Sequence, residues 1–454
     1  MIARSGCGVI LSERVCASDS VRSTADLDSL PSLNVILALP LLGVAAALGC
    51  FVFAISEALT AGRGLDRREW LIATRLTAAA FGLRVAVAIG TYVVLPYGYF
   101  APDEIGYARS GLALSKQPLD LSQALSAQGW LYFNAASQQL FGDDHLLPRL
   151  WNAGVGSLTV LLCFVLATRV VSGIGARFTA LVVAFLPTLV MWSTLNLKDA
   201  DVWCLILSGL LLIVRLQAGW RWRSIAALGI VVVLLASLRQ FAAASLVLAT
   251  AVGLLSPHLS RRRLITAAGV AAAVAVVVAL TVGERVYTSL HLDMLAHLRH
   301  ALAVGARSAV DPDPGLQTLH GAIAFLPRGV FDLLIRPFPW EVPGALKTGV
   351  AIDIVLEYAV LVAAIIGIAY SIKRRPVESA PLIGIIICLI VGYGLVLSNL
   401  GTIYRERAQI VVVLCVFVGA AYDVLGRGFV DGQLLETSSE GALGNRGTRR
   451  NLNP

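Results

Sequence analysis

Long apolar segments with few charged residues restrict the fold of this 454-residue chain more than any other feature. They run for about 17–25 residues, the length that a helix needs to cross roughly 30 Å of hydrocarbon. Their residues do not alternate between polar and apolar, as the strands of a membrane barrel would. Charged residues make up only 14% of the chain, against about 25% in soluble domains. The sequence therefore predicts an all-α polytopic membrane protein, whose spans satisfy their own backbone hydrogen bonds.

The apolar segments predict a transmembrane domain of about eleven helices over residues 33–425. A polar segment, 1–32, precedes it, and a Gly-, Asn- and Arg-rich segment, 426–454, is predicted to be a disordered cytoplasmic tail. Two long loops, 99–149 and 284–348, interrupt the series. The predicted spans are residues 33–57, 76–98, 150–171, 177–194, 200–216, 224–238, 241–256, 264–283, 349–371, 380–398 and 407–425.

Basic residues are concentrated in the tail and in one alternate set of short loops, which we assign to the cytoplasm because cytoplasmic loops carry an excess of Lys and Arg. The net charge of +8 then indicates orientation in a plasma membrane rather than nucleic-acid binding. The long loops and the connections 196–201, 239–240 and 398–407 fall on the extracytoplasmic side, where we expect an active site. The basic residues of the cytoplasmic set are Arg63, Arg67, Arg68, Arg75, Arg169, Arg177, Arg215, Arg221, Arg223, Arg261, Arg262, Arg263, Lys373, Arg374, Arg375, Arg427, Arg446, Arg449 and Arg450.

Asp103 and Glu104 are adjacent carboxylates just after the predicted second span, in a segment that reads Phe-Ala-Pro-Asp-Glu-Ile-Gly-Tyr and ends at Tyr107. Desolvation against a low-dielectric wall raises a carboxyl pKa and makes the group a better base, whereas a neighbouring Arg has the opposite effect. A carboxylate here can take the proton of an acceptor hydroxyl as its oxygen attacks a sugar carbon. The alternative is an ordinary helix start, with Pro102 in the first turn and acidic residues complementing the helix dipole.

Three further segments follow these carboxylates in order: Gly129-Trp-Leu-Tyr-Phe, a Pro-Arg-Leu-Trp sequence at Arg149, and a Leu-Pro-Thr-Leu-Val-Met-Trp-Ser segment that leads to Asp199. The order of these features resembles the GT-C superfamily of membrane glycosyltransferases. Members of that superfamily have an acidic motif, then a span that begins with Arg-Leu, then a segment with Pro and Trp-Ser before a polar turn. This superfamily includes the protein O-mannosyltransferase and aminoarabinose transferase branches. The resemblance covers roughly residues 76–256.

The resemblance implies a GT-C-like fold and an inverting transfer of a sugar from a polyprenyl-phosphate donor, held in the membrane lipid, to an extracytoplasmic acceptor. The acceptor would be a glycan, a lipid or a protein of the cell envelope. By position, Asp103 matches the catalytic acidic residue of the family's first large loop and is the predicted general base. Glu104 is its neighbouring candidate, and Tyr107 is a candidate for substrate contact.

Lys198, Asp199 and Asp201 form a polar turn on the same predicted side of the membrane. Lys198 can hold a donor phosphate as a point charge, and either aspartate can orient a hydroxyl or help to bind a metal ion. Asp199 is the candidate for substrate binding. The alternative is an interfacial turn whose surface ion pair contributes almost nothing.

Arg405 and Arg407 flank Glu406 on the side opposite to the basic loops. A guanidinium matches phosphate oxygens in two-point contact, and the phosphate that leaves a sugar needs such neutralisation in the transition state. Arg239, in another short outer turn, can converge on the same site. The alternative is a pair of snorkelling side chains that anchors the last span.

Trp340 lies in the Pro-rich loop 336–343, where it can cap a cavity and stack on a sugar ring, or serve only as an aromatic anchor at the interface.

The sequence predicts no definite cofactor, and a divalent metal remains open. The cysteines form no CxxC pair, which argues against a disulfide framework or a zinc site. His291, His297 and His300 are predicted to be surface residues rather than metal ligands.

Arg84, Asp353 and Glu357 fall within predicted spans, where charges are expensive and usually face the protein interior. Asp353 and Glu357 lie four residues apart and therefore face the same side of a helix. We expect Arg84 to pair with one of them, or a proton route to run there.

Two other functions fit these residues. An O-antigen-type polymerase or ligase would use the outer arginines and act on lipid-diphosphate glycans. A transporter or flippase of lipids or solutes would use the spans, although transporters often have paired repeats and broken helices near the midplane, and we find no repeat. A member of the fold without catalysis is a further alternative. The glycosyltransferase hypothesis requires Asp103 to meet the pair Arg405 and Arg407 around one pocket.

Overall fold

A computed structural model describes residues 33–116, 128–142, 145–255, 292–304, 308–341 and 347–447. Side chains are described from residue 45 to residue 426 within these ranges, except 292–294 and 347. The regular structure of the described residues consists of α-helices and a 3-10 helix, Thr60–Gly62, apart from one isolated antiparallel bridge between Ala309 and Asn399. The helices are α1 (Leu33–Leu59), α2 (Arg67–Val94), α3 (Asp103–Leu114), α4 (Gly129–Phe141), α5 (Leu146–Val170), α6 (Gly173–Phe185), α7 (Pro187–Trp192), α8 (Asp199–Ala218), α9 (Trp222–Leu238), α10 (Gln240–Leu254), α11 (Leu292–Ala303), α12 (Leu319–Ile335), α13 (Lys347–Arg374), α14 (Pro376–Val396) and α15 (Leu400–Gly447).

Six helices in the described ranges are long and apolar enough to cross a membrane. They confirm the predicted class, an all-α membrane protein, while the number of eleven spans stays a prediction. The predicted span 264–283 and the segment 1–32 lie outside the described residues. The six are Ala45–Gly62, Arg67–Val94, Leu146–Val170, Thr348–Arg374, Pro376–Val396 and Leu400–Gly426; the shorter apolar helices are Gly173–Phe185, Trp222–Leu238 and Gln240–Leu254.

Several helix boundaries differ from the predicted ones for local reasons. The predicted span 177–194 is two helices, because Pro187 cannot continue a helix and holds Leu186 in an extended conformation (φ −62°, ψ 120°). Arg239, also extended, separates α9 from α10, so the two short spans predicted there are separate helices. The long loop 99–149 contains α3 and α4. The backbone of α15 continues to Gly447, through much of the segment predicted to be a disordered tail.

Helix α8 lies at the centre of the bundle. Every residue from Asp199 to Val214 is buried, and the helix packs against α1, α5, α9 and α10. A helix that is apolar on all sides is expected to be enclosed by others. Helix α15 is also largely enclosed and packs closely on α13, where a Cβ on Gly367 would collide with the carbonyl oxygen of Phe417. Because α8 and α15 are enclosed, the polar residues at their first turns are positioned by packing on several neighbours.

Arg84 is completely buried in α2, and its partners differ from the predicted ones. Its Nη2 and Nη1 atoms donate to the carbonyl oxygens of Val183 and Ala184, at 3.1 and 3.0 Å, and its Nε donates to Ser193 Oγ at 2.9 Å. These carbonyls end α6, where the break before Pro187 leaves them without partners inside the helix. The expectation that Arg84 pairs with a carboxylate is therefore wrong for the described residues. Its guanidinium group instead donates hydrogen bonds to the free carbonyl oxygens at the end of α6.

Asp353 and Glu357 do face one side of α13, as predicted, and both are buried. Tyr404 Oη donates to Asp353, which also accepts from the backbone N of Thr188 at 2.9 Å. Glu357 forms an ion pair with Arg407. The two carboxylates therefore connect α13 to α7 and α15.

The predicted grouping of loops by side is visible in the packing. Residues in or next to four of the five basic loops, among them Arg63, Arg169 and Arg221, line one hollow, so these four loops lie at the same end of the bundle, here called the arginine end. The fifth loop, which carries Arg261, Arg262 and Arg263, lies outside the described residues. Asp199 lies at the end of α8 opposite the arginine end, because Ala218 at the other end of α8 lines the hollow. Arg405 pairs with both Asp199 and Asp103, so all three residues lie there. Which end faces the cytoplasm remains a prediction.

Candidate functional site

Four helix ends bring charged side chains together opposite the arginine end. Asp103 begins α3, Asp199 begins α8, Arg239 separates α9 from α10, and Arg405 lies in the second turn of α15. Each is at a point where the chain turns, and these turns come from distant parts of the sequence. We call Asp103, Lys198, Asp199, Arg239, Arg405 and Glu406 the charged cluster.

Asp103 and Arg405 are paired, which is one part of the geometry that the hypothesis required. Arg405 Nη1 lies 2.5 Å from Asp103 Oδ2, although the two residues are 302 positions apart in the sequence. The side chain of Asp103 is 53% exposed, while that of Arg405 is only 13% exposed. Asp103 therefore offers a carboxylate at the surface of the cluster, and Arg405 supports it from inside.

Arg405 also approaches the other two carboxylates of the cluster. Its Nε lies 3.7 Å from Asp199 Oδ2, and its Nη2 lies 3.5 Å from Glu406 Oε1. Arg239 pairs with Glu406 as well, and its Nη2 lies 3.4 Å from Asp199 Oδ1. The two arginines thus lie between the three carboxylates, and together with Lys198 the cluster is formally neutral when all six side chains are ionised.

Some polar atoms of the cluster are buried without a hydrogen bond among the described residues. They include Asp199 Oδ2, Arg239 Nε and Arg405 Nε. The 3.7 Å between Asp199 Oδ2 and Arg405 Nε is an electrostatic contact too long for a hydrogen bond. Buried polar atoms are normally satisfied, so each such atom requires an explanation, and a ligand atom is one.

Lys198 belongs to the cluster by its position in the turn between α7 and α8. No ion pair joins it to a carboxylate of the described residues. Burial lowers the pKa of the Lys198 ammonium to about 7, and nearby Arg239 adds to this, whereas Asp199 opposes it. An amine with such a pKa is partly charged near neutral pH, and an anion bound beside it increases the charged fraction.

Tyr107 lies one turn after Asp103 on α3, on the same face. Burial raises the pKa of its hydroxyl; Arg405 and Arg239 partly oppose this, and Asp199 and Asp103 add to it. The predicted substrate-contact residue therefore lies beside the charged cluster as a protonated phenol, able to donate a hydrogen bond.

Glu104 has partners different from those of Asp103. It is fully buried and accepts from Arg149 Nε at 3.0 Å and from Arg149 Nη2 at 2.9 Å. Its Oε1 also accepts from the backbone N of Asn196 at 2.7 Å. Its predicted catalytic role stays a prediction, but these contacts are those of a residue that holds α3, α5 and the turn before α8 together.

The turn that carries Lys198 and Asp199 is positioned by two asparagines. Asn196 Nδ2 donates to Asn134 Oδ1 at 2.7 Å, and Asn152 Nδ2 donates to the carbonyl oxygens of Leu195 and Leu197 at 2.6 and 2.5 Å. Sequence reasoning did not assign roles to Asn152, Asn196 or Arg149. Their only signal was their position inside polar segments at the ends of apolar runs.

Arg407 does not share the site with Arg405. Two residues along an α-helix correspond to a rotation of about 200°, and Arg407 faces Glu357 and the end of α12 instead. It pairs with Glu357 and donates to the carbonyl oxygen of Arg336 at 2.8 Å. The predicted pair of phosphate-binding arginines is thus divided by the helix geometry, and only Arg405 lies in the charged cluster.

Trp340 lies in a compact loop that Arg336 and Glu341 close with an ion pair of 2.6 Å. The indole is 70% exposed and stacks on Phe338, with ring centroids 4.8 Å apart. The loop is linked to α15 through Arg407, which donates to the carbonyl oxygen of Arg336. Among the described residues, Trp340 makes no ring contact or hydrogen bond with the charged cluster. Its predicted role in substrate binding stays a prediction.

Asp201 is buried on α8 and accepts from the indole nitrogen of Trp151 at 3.0 Å. His297 and His300 are exposed on α11, and His291 lies outside the described residues. In the described ranges no three His, Cys, Asp or Glu side chains are grouped as metal ligands, so a divalent metal stays an open prediction.

No protein-family model matches the chain, and a search of curated proteins finds no relative.

Proposed function

We propose that this protein is a membrane glycosyltransferase that moves a sugar from a polyprenyl-phosphate donor to an acceptor outside the cytoplasm. In this proposal the chain has a GT-C-like topology of about eleven spans, and the charged cluster faces the extracytoplasmic side of the plasma membrane. The acceptor is a glycan, lipid or protein of the cell envelope.

The observation that carries the proposal is the pairing of a half-exposed Asp103 with a nearly buried Arg405. Glycosyl transfer needs a base next to a group that stabilises a leaving phosphate. Asp103 supplies the base. Arg405, Arg239 and Lys198 supply positive charge within the same cluster.

The transfer step uses these groups in defined roles. The acceptor hydroxyl oxygen attacks the anomeric carbon of the donor sugar, and its proton passes to a carboxylate oxygen of Asp103. The bond between this carbon and the phosphate oxygen breaks, and the electron pair stays on the phosphate. Arg405 and Lys198 stabilise the charge that develops there. Attack opposite the leaving phosphate inverts the configuration.

The carboxylates of the cluster position its arginines in advance of catalysis. Asp103, Asp199 and Glu406 hold the arginines in place before a donor binds. Positioned donors are effective in catalysis because they do not need to reorganise during the reaction. The unsatisfied Nε atoms of Arg239 and Arg405 are the donors that we assign to phosphate oxygens.

The decisive experiment is to supply purified full-length protein with each class of donor. We expect release of polyprenyl phosphate from polyprenyl-phosphate hexoses or pentoses, with an inverted anomeric product identified by mass spectrometry and NMR. Product only from lipid-diphosphate oligosaccharides would favour the polymerase or ligase. Solute or lipid flux in liposomes, without any glycosyl product, would favour the transporter.

Donor binding should depend on pH through Lys198. The pKa of its ammonium, lowered by burial to about 7, makes it charged below pH 7 and neutral above. The phosphodiester of the donor keeps one negative charge throughout this range. The KM for the donor should therefore be constant at low pH and should rise by up to about tenfold per pH unit above pH 7.

Lys198→Met is expected to remove this pH dependence and to give a high KM at every pH, with a smaller effect on kcat. Lys373→Met, which removes an exposed lysine at the arginine end, should retain the native profile. An unchanged profile in Lys198→Met would exclude Lys198 from donor binding.

A further inference from the structure

A basic hollow lies at the arginine end, away from the charged cluster. Its volume is about 480 Å³, and arginines from three separate connections line it: Arg63, Arg169, Arg215 and Arg221. A neighbouring hollow of about 380 Å³ shares Arg63, Arg215 and Arg221 with it. The positive side chains of these connections therefore converge on one concave surface, instead of pointing separately into water.

The basic hollow has more positive charge than its carboxylates neutralise. Arg215 is occupied by Glu57, with Nη1 3.2 Å from Oε2, and Glu378 lies 3.7 Å from Arg375. Arg63, Arg169 and Arg221 have no ion pair with any carboxylate of the described residues. Three guanidinium groups with free hydrogen-bond donors are thus available to an anion, and their planar forks match phosphate oxygens.

An apolar groove continues from the basic hollow along the membrane-facing surface of α1. Its volume is about 450 Å³, and Thr60 and Arg63 line both the groove and the hollow. The groove follows the last turns of the candidate span Ala45–Gly62. Its apolar lining is formed by Phe51, Val52, Ile55, Leu59 and Leu158.

We propose that the hollow and the groove together bind one anionic membrane phospholipid, with its phosphate headgroup among Arg63, Arg169 and Arg221 and an acyl chain in the groove. Basic loops that only orient a membrane protein need no shared cavity and no adjoining apolar groove. Here both are present and continuous. Phosphate attraction fixes the headgroup, and burial of acyl methylenes adds affinity that a free phosphate ion lacks. This site is independent of the proposed glycosyl transfer.

Native mass spectrometry of the full-length protein in detergent tests the proposal with phosphatidylglycerol as the probe. Phosphatidylcholine tests the need for net negative charge, and inorganic phosphate tests the need for an acyl chain. We expect a one-to-one adduct with phosphatidylglycerol, much less with phosphatidylcholine, and no competition from millimolar phosphate. Equal binding of the two lipids, or full displacement by inorganic phosphate, would overturn the proposal.

Two sets of variants localise the binding. A triple variant with Arg63→Gln, Arg169→Gln and Arg221→Gln should lose affinity for phosphatidylglycerol by at least about tenfold. The matched control loses the same charge from exposed residues at the same end that do not line the cavity. It carries Arg67→Gln, Arg68→Gln and Lys373→Gln. Equal loss in both triples would show diffuse surface attraction and overturn the site.

The groove is tested without touching any arginine. Val52→Trp with Ser56→Trp fills the groove from exposed positions, so the core of the bundle is undisturbed. We expect it to weaken the adduct by a similar factor, while Val93→Trp, at an exposed position on α2, has no effect. If the variant with the filled groove bound phosphatidylglycerol as tightly as the native protein, the placement of the acyl chain in the groove would be wrong. Thermal unfolding of every variant verifies that it is folded, and the two sets keep the proposal testable if one fails to fold.

Discussion

Asp103→Asn is expected to lower sugar transfer by about 10² to 10⁴-fold, the usual contribution of general-base catalysis, because the amide cannot accept the acceptor's proton. The substitution preserves the size and shape of the side chain. Asp103 is half exposed, and Arg405 retains Asp199 and Glu406 as partners. The folded protein should therefore lose less than about 1 kcal/mol of stability. Transfer rates with saturating donor, beside thermal unfolding in detergent, measure both effects.

Asp66→Asn is the matched control for Asp103→Asn. Asp66 is also an exposed aspartate at the start of a helix, its side chain makes no capping hydrogen bond, and it lies at the arginine end. It should transfer sugar at the native rate. If Asp103→Asn also transfers at the native rate, Asp103 is not the base. If it aggregates, the ion pair with Arg405 is structural, and Asp103→Glu then decides whether a carboxylate restores activity.

Glu104→Ala is expected to destabilise the protein by about 3–5 kcal/mol, the usual cost of removing one partner of a buried ion pair. Glu104 and Arg149 are both buried, and two hydrogen bonds join them. The alanine would leave the Arg149 guanidinium without its counter-charge and the backbone N of Asn196 without an acceptor. We therefore expect a large drop in the midpoint of thermal unfolding and in the yield of monodisperse protein.

A double-mutant cycle separates structure from catalysis at Glu104. Glu104→Gln with Arg149→Met removes both charges, so the double variant should be more stable than the sum of the two single losses predicts. Any folded fraction of Glu104→Gln should keep measurable transfer. Glu104→Gln could instead have the native midpoint of thermal unfolding and lose sugar transfer as completely as Asp103→Asn. In that case Glu104 is the catalytic residue, and the structural interpretation fails.

The two adjacent carboxylates show where sequence reasoning ends. Side by side in an acidic motif, Asp103 and Glu104 have the same chemistry and the same predicted location. On the first turn of a helix, adjacent positions differ by about 100° in direction. One therefore faces the surface of the cluster and the other the interior, and hydropathy cannot say which.

Arg405 and Arg407 show the same limit. Their unusual position, opposite the basic loops, was visible in the sequence and drew attention to the start of α15. Their separation by two residues places them on different faces, with Asp103 beside one and Glu357 beside the other. The expected partner of Arg84 was wrong for a related reason, since backbone carbonyls at a proline break are invisible as a charge pattern.

The sequence by itself determined the class of this protein, the approximate position of its long apolar helices, and the separation of basic loops from the mixed-charge turns. These follow from local composition, because each residue's transfer from water to lipid depends on its own side chain. Only the tertiary structure decided which charges meet. A carboxylate and a guanidinium hundreds of residues apart become neighbours through helix packing, and their pairing depends on rotations about helix axes that no single segment encodes.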